Sequence, residues 1–147
     1  MIERLPEPKP GESFETIEIS FPARAELVML ARFAAATVAA RAGFDVEEIE
    51  DLRLAVDELC ISLGPMADDC SLRIRLERAG DTVTITGSLE PYAESGTVSR
   101  PEPDSVTWKR AAALSALLLD SLVDEHGRDE RSEIGFAWLR KRHAQVS

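Results

Sequence analysis

The chain has 147 residues, with 17 Lys and Arg against 27 Asp and Glu, a formal charge of −10 and a pI near 4.7. That length suits one domain around one core. The charge argues against direct binding to nucleic acid, which needs clustered cations to displace phosphate counterions, and suits a basic protein partner better. Cys60 and Cys70 form no CxxC or zinc spacing, and Cys60 reads as a small buried apolar residue. The start, MIERLPEPKPGESFE, has no apolar stretch of the signal-peptide kind, and the run Ala111 to Leu119 is too short to cross a bilayer. A reducing cytoplasm, with no membrane contact, is the expected location.

Residues 1–13 combine three prolines, a glycine and several charges, so they are expected to form a flexible tail ahead of a domain over 14–142, with 143–147 as a second tail. ETIEISF alternates Ile17, Ile19 and Phe21 with polar residues, which predicts a half-buried strand. Pro22 is then expected to open an alanine-rich helix over Ala23 to Ala42 that stops at Gly43. In DLRLAVDELCISLGPMADD, Ile49, Leu52, Val56, Leu59, Cys60 and Leu63 recur at spacings of three and four and predict a second helix, ended by Gly64 and Pro65. Asp51, Ala55, Glu58 and Ser62 fall on another face, expected to be polar and solvated. Between Asp45 and Asp69 nine residues are acidic and one, Arg53, is basic, which makes this segment either a solvated face or an acidic docking surface.

Leu72, Ile74 and Leu76, a turn at Ala79-Gly80-Asp81, then Val83 and Ile85 predict a β-hairpin. From Ser88 to Pro103 no periodicity is visible, and a long loop is expected. Asp104 and Ser105 offer an N-cap to a third helix bearing Leu114, Leu117, Leu118 and Leu122. EIGFAWL closes as a strand with Ile134, Phe136 and Trp138 on one face. The order of elements predicts an α+β two-layer sandwich, its helices on one face of a mixed, mostly antiparallel sheet.

FPARAELVMLARF followed by LRLAVDELCISL resembles the anti-sigma serine-kinase family, bacterial regulators of stress and sporulation sigma factors with the GHKL, or Bergerat, fold. The resemblance covers about residues 14–142 and is strongest at the second helix. It implies that Glu58 matches the glutamate that activates the substrate serine. Ser62 then stands where the family carries a magnesium-binding asparagine. Ser88 falls where an aspartate would read adenine, and PDSVTWKR replaces the glycines that let backbone amides approach phosphates, leaving Lys109 and Arg110 as the cations able to touch one. Purine recognition, metal and phosphate cradle are thus each altered, so the expectation is no cofactor and no catalysis, with Mg-ATP required only if kinase activity survives.

The resemblance further implies two partners, a sigma factor kept from RNA polymerase and a STAS-type anti-anti-sigma protein, with Arg32 of LARF at the position that docks on sigma. Arg24 and Arg41 share that helix. Family members pair, so a homodimer fits the resemblance, although no apolar stripe is evidently spare once the core is filled.

Overall fold

The computed structural model describes residues 14–66, 68–92, 106–129 and 135–144. The expected tail over 1–13, the Asp104-Ser105 cap and Ile134 lie outside them. Strands β1 (Phe14–Pro22), β2 (Cys70–Ala79), β3 (Thr82–Pro91), β4 (Glu125–Arg128) and β5 (Phe136–Arg142) form one sheet in the order β1-β2-β3-β5-β4. Every pairing among them is antiparallel, so the sheet is less mixed than expected. Helices α1 (Val28–Arg41), α2 (Val46–Ser62) and α3 (Val106–Leu122) complete the two-layer α+β architecture, with α2 packed between the other two. Among the described residues no helix is long and apolar enough to cross a membrane.

Strand alternation decides which side chains meet the helices. The registers align Ile17, Leu76, Ile85 and Leu139 in one row and Ile19, Ile74, Gly87 and Ala137 in the next. Leu52, Val56, Leu59 and Leu63 of α2 close over this face, and with Leu72, Val83 and Leu89 they make the centre of the core. Gly87 is the close approach: a methyl group there would stand 3.2 Å from Leu63 Cδ1 and 3.3 Å from Ile74 Cδ1. The opposite face carries the exposed pairs of Arg73 with Glu18 and Glu90, which stabilise little, and the pair of half-exposed Arg75 with the buried Glu77 carboxylate.

Several expectations are corrected. Pro22 ends β1 rather than opening α1, because Ala23 N–H bonds the Cys70 carbonyl and a proline at a strand end sacrifices no ladder donor. A 3₁₀ turn over Ala25–Leu27 intervenes before Val28. The stop at Gly43 holds, with φ at 84°. β3 runs through Pro91, so Ser88 to Pro91 are strand, held by Cys70 to Arg73 on β2; residues 93–105 are not described. β4 was absent from the expected elements, since Glu125-His126-Gly127-Arg128 has no apolar alternation and exists by pairing with β5. In β5 the buried residues are Ala137 and Leu139, while Phe136 and Trp138 are half-buried on the other face. On α3 the inward residues are Ala112, Ser115 and Leu119; Leu114, Leu117 and Leu118 are exposed, so an apolar stripe is spare after all.

One carboxylate ties β1 to both α1 and β2. Glu15 of β1 accepts hydrogen bonds from Arg41 of α1 and pairs with Arg78 of β2. The Arg41 and then the Arg78 hydrogen bonds pull the Glu15 carboxyl from its ordinary 4.5 down to about 2. A depressed carboxylate stabilises the fold fully above its unfolded pKa and ceases to do so as pH falls through the folded one. Glu15→Gln is therefore expected to lower the urea midpoint at neutral pH, with the gap from wild type closing between pH 4.5 and 2; a gap that persists at pH 2 contradicts this.

Candidate functional site

α2 carries Glu58 and Ser62, and its start is fixed by a capping box. Asp45 accepts from Glu48 N–H at 2.8 Å, and Glu48 accepts from Asp45 N–H at 2.9 Å. The Asp-x-x-Glu spacing at 45 and 48 is the sequence signal of this box. The face holding Ala55 and Ser62 is not solvated as expected. Ala55 is fully buried, Ser62 is 8% exposed, and Asp51 and Glu58 are half-buried. The reason is α3, which packs against α2 and lines a cleft with Ser62.

Ser62 Oγ donates to the Glu58 carbonyl at 3.0 Å, the back-bond that a hydroxyl makes inside a helix. Ser62 also lines a cleft of about 370 Å³ under α3, shared with Lys109, Ala112, Leu119, His126 and Arg128. His126 and Arg128 reach it because they sit opposite Leu139 and Ala137 in the β4–β5 register, on the sheet face turned to the helices. His126 Nε2 is 2.6 Å from Asp120 Oδ1. Ser62 and Lys109 are thus brought together, while Glu58 and Arg110 do not line this cleft. Ser88 sits outside it as well, on the β3 face turned from the helices, between Arg73 and Phe136. An acceptor at that position would not look into the space beside Ser62.

The residues lining the cleft fit an anion better than Mg²⁺. Among them, as described, none is a carboxylate, the single hydroxyl is hydrogen-bonded to the helix, and Lys109 and Arg128 are cationic. Magnesium requires near-octahedral oxygen donors, usually one or two carboxylates. His126 and Arg128 were not among the expected site residues, because nothing in a short strand without alternation marks a side chain as inward-facing.

Arg32 lies on the other flank of α2. It pairs with Asp57 at 3.4 Å, and both line a largely apolar cleft of about 420 Å³ between α1, α2 and Ala111. Burial pushes the Asp57 carboxyl up, with Arg32 opposing and Glu58 reinforcing that shift. The Cys60 thiol on the cleft floor is pushed up to about 12, chiefly by burial, so it is no nucleophile at neutral pH.

No family model matches the chain. The serine-protein kinase RsbW of Bacillus cereus (strain AH187) is 44% identical to it over 52 residues, 35% of this chain and 32% of the relative. The serine-protein kinase RsbW of Bacillus thuringiensis (strain Al Hakam) matches with the same identity and shares. Over those 52 residues the chain is similar to serine-protein kinases of this name. The match spans about a third of the length of these relatives.

Proposed function

We propose that this chain is an anti-sigma factor that holds a sigma factor away from RNA polymerase without needing ATP, and that a STAS-type antagonist relieves the hold. The observation that carries the independence from ATP is the lining of the Ser62 cleft: it holds no carboxylate, and its one hydroxyl donates a hydrogen bond to the Glu58 carbonyl, a poor set of ligands for the magnesium that ATP chemistry needs. The hold on sigma is supported by the resemblance to the anti-sigma serine kinases and by charge. A chain of −10 is steered toward a basic partner and away from DNA itself. Arg32, on the α1 flank of an open apolar cleft, is the proposed contact with sigma. The test is capture of partners from nucleotide-stripped lysate of the source organism, identified by mass spectrometry. Recovery of a sigma factor is expected; recovery only after Mg-ATP is restored contradicts the reading.

A second reading is favoured by the relatives' own name, serine-protein kinase. In it Glu58 is the base for a hydroxyl of the STAS antagonist and Ser62 assists at magnesium. Radiolabelled ATP incubated with this chain and its antagonist decides between them, with Glu58→Ala as control. Label transfer lost in that control supports the kinase; no transfer by the wild type removes it.

A further inference from the structure

The larger of the two clefts described above, about 420 Å³, lies between α1, α2 and the start of α3 and is apolar nearly throughout. Val28, Cys60 and Gly64 are buried on its walls, Met66 is half-buried, and Ile61, 42% exposed, stands at its rim. The Cys60 thiol, pushed up to about 12 by burial, stays protonated and adds to the apolar lining. Clefts of this size between helices, apolar with a few convergent polar groups, are where small molecules bind. The two polar groups here are Arg32 and Asp57. They meet at 3.4 Å as an ion pair without hydrogen-bond geometry, the Arg32 Nε is buried, and burial raises the Asp57 carboxyl.

We propose that this cleft is a binding site for a small, uncharged molecule with an apolar body and a carboxamide-type head. The polar pair selects the head. A guanidinium offers only donors and an ionised carboxylate only acceptors, whereas an amide carries both in one plane. Its carbonyl can accept from Arg32 while its N–H donates to Asp57. A carboxylate head would gain Arg32 but stand beside Asp57, and an ammonium would gain Asp57 but stand beside Arg32; either would also leave water for apolar walls. Because Arg32 and Asp57 neutralise each other, no net charge is left over to offset that cost, and the next charges acting on Asp57, Glu58 and Arg53, oppose each other in turn. The walls select the body: an aryl or alkyl group there removes Ile61 and Met66 surface from water. No lining residue is shared with the Ser62 cleft. The site does not depend on the proposed hold on sigma; on that reading Arg32 is also the contact with sigma, so ligand and sigma would compete for it.

The probes are phenylbutanamide, phenylbutanoate and phenylbutylammonium, three heads on one body, each titrated into the isotope-labelled full chain and followed by its amide chemical shifts. Wild type is expected to bind the amide at least about tenfold more tightly than either charged probe, with the shifts centred on Arg32, Asp57, Ile61 and Met66. Asp57→Asn leaves Arg32 without its counter-charge and is expected to move the preference to the carboxylate, a change that a merely structural role for Asp57 would not produce. Ala111→Leu, at a half-buried position on α3, fills the cleft and is expected to weaken amide binding at least about tenfold while the circular dichroism spectrum stays unchanged. Equal binding of the three probes by wild type, an unchanged preference in Asp57→Asn, or shifts centred away from the cleft overturn the proposal. So does absence of amide binding, including the case in which light scattering shows a dimer that already covers the cleft. Every readout uses the chain alone, so failure to recover a sigma factor in the capture experiment would refute the proposed function without touching this site, and the two can fail separately.

Discussion

Glu48→Ala is expected to lower the stability of the fold by about 2–4 kcal/mol. Its carboxylate, 8% exposed, accepts from the Asp45 amide at 2.9 Å, from the Ala144 amide at 2.8 Å, and meets His143 Nδ1 at 2.6 Å. One side chain therefore caps the first turn of α2 and anchors the end of the chain, where His143 also stacks on Phe44 and donates its amide to the Asp81 carbonyl. Residues 143 and 144, expected in a tail, are fastened in this way. Truncation leaves up to three donors without an acceptor, and an unsatisfied donor costs about 1–3 kcal/mol, less where water can reach it. Burial raises the Glu48 carboxyl, but the hydrogen bonds from Asp45, Ala144 and His143 outweigh it, and the net shift is downward. The contribution is therefore present above the unfolded pKa and fades as pH falls through the folded one. Urea unfolding of wild type and variant at neutral pH measures it, and coincident midpoints would contradict the account.

Under the proposed function, Arg32→Glu is expected to weaken sigma binding by at least about 1–2 kcal/mol, roughly five- to thirtyfold. Arg32 stands half-exposed beside the cleft, and its buried Nε meets Asp57 Oδ1 at 3.4 Å as an ion pair without hydrogen-bond geometry. A planar fork so placed can turn a second edge to a carboxylate of the partner. A glutamate there would face Asp57 and Glu58 and repel that carboxylate. Arg32→Ala separates the effects, because it removes the contact without adding like charge. Calorimetric titration of a folded variant that matches wild type would take Arg32 out of the interface.

The sequence made the α+β architecture legible because four of its signals are local. Alternation at Leu72, Ile74 and Leu76, the Gly80 turn, the Gly43 stop and the three-four spacing on α2 each depend on a few neighbouring residues. What was hidden depends on partners distant in the chain. Ser88 to Pro91 lack a pattern of their own and become strand because β2 offers them a ladder. His126 and Arg128 face the cleft through their register with β5. On α3, the leucines at 114, 117 and 118 and the smaller residues at 112, 115 and 119 both repeat at helical spacing, and size alone pointed inward to the wrong set. At the site, the sequence identified Glu58 and Ser62 as one turn apart but could not reveal that the Ser62 hydroxyl is bonded back to the helix.

The measurement closest to the central claim is the affinity of this chain, freed of nucleotide, for the sigma factor it captures, compared with and without saturating Mg-ATP. The account predicts tight binding without nucleotide and a Kd that Mg-ATP leaves unchanged. Binding that appears only with Mg-ATP would mean that the cleft beside Ser62 still takes a nucleotide and that the hold on sigma depends on it.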